Sequence, residues 1–170
     1  MKKIAIIGPE CTGKTTLSEQ LALHYNTLWV PEFAREYVEN LKRNYVFEDV
    51  EKIARKQFEQ INAKYEDNQN LIFFDTDLII TKVWFDVVFK KIPGWLNSAI
   101  SISNFHMYLL CNIDIAWKPD NVRENGGEMR KVLFNIYKKE LEDRGLKYKI
   151  VSGTGNERTK NAIEIINNFA

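Results

Sequence analysis

Gly8-Pro9-Glu10-Cys11-Thr12-Gly13-Lys14-Thr15 has the spacing G-x-x-x-x-G-K-[ST] of a phosphate-binding loop. An apolar run, Ile4 to Ile7, precedes it, and an amphipathic pattern from Thr15 to about Tyr25 follows. Between a strand and a helix, the loop N–H groups can wrap a phosphate while the helix N-terminus supplies the positive end of its dipole. Gly8 and Gly13 let the backbone approach the phosphate without a Cβ in the way. Lys14 is then a point charge for the β- and γ-phosphates of ATP, and the Thr15 hydroxyl is placed to ligate Mg²⁺. Glu10, Cys11, Thr12 and Thr16 are the other positions expected to border the nucleotide. Cys11 reads as a small residue tolerated in the loop, with a redox role at a helix N-terminus as the alternative.

Further polar groups stand where apolar runs end. Leu71-Ile72-Phe73-Phe74 leads into Asp75, a shape that supplies a carboxylate to Mg²⁺ in phosphate-loop proteins. Asp77 follows two residues later and reads either as a second chemical carboxylate or as a helix N-cap. Glu32 follows Pro31 at the end of a second run, with Arg35 and Glu36 next. Glu32 is suited to accept a hydroxyl proton or to bind a sugar hydroxyl, or else to open a helix. Arg35 suits a phosphate or an acidic partner. The polar, turn-rich segment of residues 114–130 carries Trp117, Asp120, Arg123 and Arg130. It reads as a lid bringing cations to a transferring phosphoryl group, or as a surface loop.

The elements that must position these groups alternate. Strands are expected at Ile4–Ile7, Thr27–Val30, Leu71–Phe74, Met107–Leu110 and Tyr148–Val151. Helices are expected at Thr15–Tyr25, about Glu48–Tyr65, Asp77–Phe89, around Met129–Tyr137 and near the C-terminus. This order predicts an α/β fold: a five-stranded parallel sheet with helices on both faces and a short lid. Gly8, Glu32, Asp75, Asn112 and Gly153 would all fall at carboxyl ends of strands, where such sheets bind ligands.

With 170 residues and no repeat or linker, one domain over residues 1–170 is expected. The 24 Lys+Arg against 23 Asp+Glu give a formal charge of +1, which argues against a general nucleic-acid binder. No apolar stretch approaches the ~18 residues of a membrane span, and the N-terminus is broken by Gly8 too early for a signal peptide. Cys11 and Cys111 form neither a disulfide framework nor a metal spacing. The expectation is a cytoplasmic protein without membrane insertion. Homo-oligomerisation is left open.

Four pieces together carry a resemblance. They are Ile7-Gly8-Pro9-Glu10-Cys11-Thr12-Gly13-Lys14-Thr15-Thr16, Glu32-Phe33-Ala34-Arg35-Glu36, Phe74-Asp75-Thr76-Asp77 and Trp117-Lys118-Pro119-Asp120-Asn121-Val122-Arg123. In order and spacing the chain resembles the ribosylnicotinamide kinase domain of the bacterial NadR type and its stand-alone relatives. The resemblance implies a nucleoside/nucleotide-kinase-like fold, ATP and Mg²⁺, and phosphorylation of the 5′-hydroxyl of nicotinamide riboside to nicotinamide mononucleotide in NAD salvage. It implies Glu32, Arg35, Asp77, Trp117 and Asp120 at the acceptor, Arg123 and Arg130 as lid cations, Asp75 as metal ligand or base, and Gly153 and Thr154 near adenine. The chain departs from the family's usual Ser at Cys11 and usual Gly at Asn121. It begins directly at the first strand, so DNA binding and adenylyl transfer are not expected. The rival readings are a kinase of another nucleoside or small acceptor, and a non-enzymatic ATP-binding switch module.

Overall fold

The computed structural model describes residues 1–66, 71–120 and 124–169. In chain order the elements are β1 (Lys2–Ile7), α1 (Lys14–Tyr25), β2 (Leu28–Val30), α2 (Phe33–Glu39), α3 (Phe47–Asn62), β3 (Leu71–Asp75) and α4 (Leu78–Trp84). After α4 come a π-helical turn (Phe85–Phe89), α5 (Leu96–Ile102), β4 (Met107–Cys111), α6 (Glu128–Asp143), β5 (Tyr148–Val151) and α7 (Gly155–Phe169). The strands form one parallel sheet of order β2-β3-β1-β4-β5. From β1 the chain winds one way through β2 and β3, then the other way through β4 and β5. A crevice opens at the carboxyl ends of the strands at that reversal.

The central strands β1, β3 and β4 run apolar on both faces because both faces are covered. Ile4, Ile6, Phe73, Met107, Leu109 and Val151 pack with Leu17 and Leu21 of α1 and Ala162 and Ile166 of α7. Alternate residues Ala5, Ile7, Ile72, Phe74, Tyr108 and Leu110 pack with α3, α4, α5 and α6 on the other side. Period-two alternation therefore divides each strand between two cores.

Several elements differ from expectation. The second strand omits Thr27, and the helix expected to reach Tyr65 stops at Asn62. The segment Asp77–Phe89 is not one helix: α4 starts after Asp77 and continues as a π-helical turn, which closes on Lys90 in the left-handed region. The α5 helix has no counterpart among the expected elements. It is only seven residues long, too short for periodicity to stand out.

Thr76 carries a local strain that matters to the site. Its φ is 73°, in the left-handed region that a β-branched residue rarely adopts. Such a residue costs on the order of 1–3 kcal/mol and persists only where neighbours hold it. Here the Thr76 N–H donates to the Ile6 carbonyl, and the Gln57 amide donates to Thr76 Oγ1 at 3.1 Å. The Thr81 hydroxyl fixes Gln57 from its other end.

Candidate active site

β1 delivers its last residues into the loop at the crevice. Gly8 (φ 150°), Cys11 (φ 56°) and Gly13 (φ 74°) give the turns that point successive N–H groups inward. A Cβ on Gly8 would meet the Cys111 carbonyl oxygen at 2.9 Å, so the loop lies against β4 too closely for any side chain there. Thr12 is fully buried and its hydroxyl donates to the Pro9 carbonyl at 2.8 Å. The Lys14 ammonium donates to the same carbonyl at 3.2 Å.

Pairing of Ile6 with Asp75 sets the third strand's carboxylate beside this loop. The Thr15 hydroxyl donates to Asp75 Oδ2 at 2.5 Å. Asp75 Oδ1 is buried without a partner. A hydroxyl and one carboxylate with an unused oxygen fit Mg²⁺, which keeps most of its shell for water and phosphate oxygens. Among the described residues no group of three or more His, Cys, Asp or Glu forms a cage for a metal.

The strained Thr76 turn separates Asp75 from Asp77. Asp77 accepts from the Ile79 N–H at 3.0 Å and caps α4. It is buried, does not line the cleft, and its Oδ2 has no partner. Burial pushes its carboxyl up to about 7, against the weaker pull of the Ile79 and Tyr108 donors. Of the two readings open for Asp77, the structure thus shows the cap. A raised value in the folded state means the native protein holds a proton that the unfolded chain releases. That contribution to stability is full near pH 4 and is lost as pH rises through 7. Asp77→Asn keeps a good cap and removes the charge. Relative to wild type the variant is expected to gain about 2–4 kcal/mol between pH 5 and pH 8. Urea unfolding at the two pH values checks this in protein free of nucleotide and metal, and parallel curves for the two proteins would refute a neutral Asp77.

Beyond the loop, a cleft of about 280 Å³ is walled by α2, the α2–α3 connection, α4 and α6. Glu32 lines it beside the phosphate loop residues. It is the N-cap residue of α2 but makes no cap hydrogen bond, which leaves its carboxylate to the cleft. Glu32 is half-buried, and burial desolvates its carboxylate. That desolvation raises its pKa; Lys14 opposes the shift and Asp75 adds to it. Asp75 is likewise raised by burial, with Lys14 and the Thr15 hydroxyl opposing. Two carboxylates thus flank one lysine.

The far wall is apolar and aromatic. Ile80, Trp84, Val87 and Val88 follow i, i+4, i+7, i+8 along α4 and its π-helical extension, so one face of that segment lines the cleft. Tyr45 meets Trp84 edge to face with ring centroids 4.8 Å apart. Val38, Leu133 and Tyr137 complete the wall. Sequence reading missed all of these, because Val, Ile, Leu and Tyr at helical spacing look like core.

The segment of residues 114–130, the crossing segment, meets this cleft at Glu124 and Asn125. Arg123, expected as a lid cation, lies outside the described residues. The Glu10 carboxylate accepts from the Glu124 N–H at 3.0 Å, the Asn125 N–H at 2.9 Å and the Asn125 amide at 3.0 Å. The Tyr45 hydroxyl donates to Glu124 Oε2 at 2.8 Å. Arg35, which lines the cleft, is paired with Asp120 at 2.7 Å and Glu39 at 3.0 Å. The phosphate loop, α2 and the α2–α3 connection therefore each hold the crossing segment.

Several expected residues lie behind the site. Arg130 is buried and does not line the cleft. It donates to the Cys11 carbonyl at 3.2 Å and the Ile115 carbonyl at 2.9 Å, tying the segment's base to the phosphate loop. Trp117 packs on Gly126, where a Cβ would stand 3.2 Å from the ring, and its Nε1 is buried without a partner. Gly153 and Thr154 lie outside the cleft. The Gly153 N–H donates to Asp114 at 2.7 Å. Buried Arg158, which the sequence reading missed, joins the Gly153, Thr12 and Asn112 carbonyls and pairs with Asp114. It links the loop after β5 to the phosphate loop. Among the described residues no helix is long and apolar enough to cross a membrane.

Known proteins share this architecture. The trifunctional NAD biosynthesis/regulator protein NadR of Escherichia coli (strain K12) is 26% identical over 153 residues, covering 87% of this chain and 37% of its own length. Its counterpart from Salmonella typhimurium is 24% identical over 155 residues, with the same coverage. The chain thus spans little more than a third of these relatives. A crystal structure of NadR protein in complex with NR superposes with a TM-score of 0.82 at 24% identity, over 99% of this chain and 49% of that one. Thymidylate kinase from Ehrlichia chaffeensis has the same fold, with a TM-score of 0.69 at 11% identity over 99% of this chain and 98% of its own. A family model described as an AAA domain matches residues 3–158, and the chain belongs to that family.

Proposed function

We propose that the protein is an ATP-dependent kinase that phosphorylates the 5′-hydroxyl of nicotinamide riboside. The observation that carries the reading is one cleft lined by the phosphate loop, whose Thr15 is bonded to buried Asp75, by Glu32, and by the aromatic pair Tyr45 and Trp84. A mere nucleotide switch has no use for a second, aromatic compartment beside the γ-phosphate position. The likeness to NadR, including a solved complex with NR, supports the choice of acceptor. The overlap with thymidylate kinase supports the reaction class.

In this reading the loop N–H groups hold the nucleotide phosphates, and Lys14 leaves the Pro9 carbonyl to meet the transferred phosphoryl group. Thr15 and Asp75 would hold Mg²⁺, which supplies charge neutralisation across the phosphates when bound. The acceptor ring rests on the Tyr45–Trp84 wall, bringing the ribose 5′-hydroxyl toward Glu32. As the hydroxyl oxygen bonds to the γ-phosphorus, the bond from phosphorus to the bridging oxygen of ADP breaks. The hydroxyl proton passes to Glu32. The crossing segment, held by Glu10, Tyr45 and Arg35, excludes water that would otherwise take the phosphoryl group. Arg123 is proposed to add positive charge to the transferring group, and Gly153 and Thr154 to border adenine.

The test is ATP turnover by purified protein with Mg²⁺, with and without nicotinamide riboside. Stimulation accompanied by nicotinamide mononucleotide is the expected result. ATP binding without stimulation by nicotinamide riboside, but with stimulation by another nucleoside, would replace the acceptor and keep the reaction.

A further inference from the structure

The two ends of the cleft differ in charge as well as in shape. Lys14 lies at the phosphate end. Arg35 is engaged by Asp120 and Glu39. At the aromatic end, among the described residues, the charges bearing on Tyr45 are both acidic, Glu124 and Glu10. Glu10 spends its oxygens on the N–H groups of Glu124 and Asn125 and on the Asn125 amide. Glu124 is exposed, lines the cleft, and is fixed from two directions: its backbone by Glu10 and its carboxylate by the Tyr45 hydroxyl.

An aromatic face attracts cations through its quadrupole. A hydroxyl that donates to a carboxylate makes its ring richer in electrons, and the carboxylate itself adds a direct attraction. Burial and the bond to Glu124 also keep the Tyr45 phenol neutral, pushing its pKa up to about 12, so the hydroxyl remains a donor. We infer that Glu124 is a specificity-determining residue, through which the aromatic end of the cleft selects a positively charged aromatic ring over a neutral ring of the same shape. The inference rests on the acceptor reading above and deepens it. A hydrophobic wall alone discriminates poorly between rings of equal size, whereas a fixed charge discriminates by sign.

Nicotinamide riboside and its dihydro form test this directly. They share the ribose and the carboxamide, but the oxidised ring is a cation and the reduced ring is neutral. Values of kcat/KM for both are to be measured at saturating ATP and Mg²⁺ with wild type, Glu124→Gln and Glu124→Asp. Wild type is expected to favour the cation. Glu124→Gln keeps an acceptor for the Tyr45 hydroxyl and is expected to lower the cation-to-neutral ratio by about five- to tenfold, the size of a partly exposed charge contact. The loss should appear in the KM of the cation. Glu124→Asp is expected to restore part of the ratio. Using the change in ratio cancels the difference in ring pucker and any general effect on folding or closure. Equal losses for both forms, or an unchanged ratio, would show that Glu124 only closes the cleft. Turnover of neither form by wild type would overturn the acceptor reading, and this inference with it.

Discussion

Lys14→Ala is expected to lower phosphoryl transfer by about 10³-fold or more while leaving the fold intact. One preorganised donor aimed at developing charge is worth about 10²–10³ in rate. A full positive charge on a transferring phosphoryl group reaches about 10³–10⁵. Lys14 contributes little to stability by contrast. It is half-buried at the first turn of α1, its hydrogen bond among the described residues is to the Pro9 carbonyl, and neither apolar core includes it. Steady-state turnover with nicotinamide riboside, together with far-UV circular dichroism and the thermal midpoint, separates the two effects. Near-normal turnover in a folded variant would remove the phosphate loop from the chemistry. Loss of turnover with loss of the fold would contradict the placement of Lys14 outside the cores.

Glu32→Gln is expected to lower kcat by about 10²–10⁴, the usual contribution of a positioned general base. The substitution keeps size and hydrogen-bonding capacity and removes only proton acceptance. KM for ATP should change little, since the phosphate loop is untouched. The folded environment raises the pKa of Glu32 chiefly by desolvation, so wild-type turnover should increase with pH as the carboxylate ionises. The variant should lose that acidic limb. A retained kcat would move the proton to Asp75, the other carboxylate beside Lys14. A loss confined to KM for the nucleoside would reduce Glu32 to a sugar-binding group.

The strained Thr76 turn shows how far the sequence could be read here. Asp75-Thr76-Asp77 looks like two carboxylates on one site, and spacing alone leaves that open. The left-handed φ of Thr76 sends Asp75 to the phosphate loop and Asp77 into the cap of α4. Nothing in the residue types announces that conformation, because threonine seldom adopts it. It is imposed by Gln57 on α3 and by the Ile6 carbonyl on β1, both remote in sequence. Arg130 makes the same point. Its type suits a phosphoryl-binding cation, but its place on the inner face of α6 sends it to two backbone carbonyls.

By itself, the sequence determined the phosphate cradle and the sheet that carries it. The cradle is made of eight consecutive residues whose backbone does the binding, so its glycines, Lys14 and Thr15 appear in order. Strands buried on both faces write themselves as unbroken apolar runs, and Asp75 ends one of them. The tertiary structure decided everything that depends on non-local approach. The cleft wall draws Tyr45 from the α2–α3 connection, Trp84 from α4, Tyr137 from α6 and Glu124 from the crossing segment. Each is an ordinary residue in its own stretch of chain. Only the packing of those helices on one face of the sheet, and the hold of Glu10 on residues 124 and 125, makes them one surface. A phosphate can be cradled by one short loop, but an aromatic nucleoside has to be enclosed from several sides, and those sides come from segments far apart in the chain.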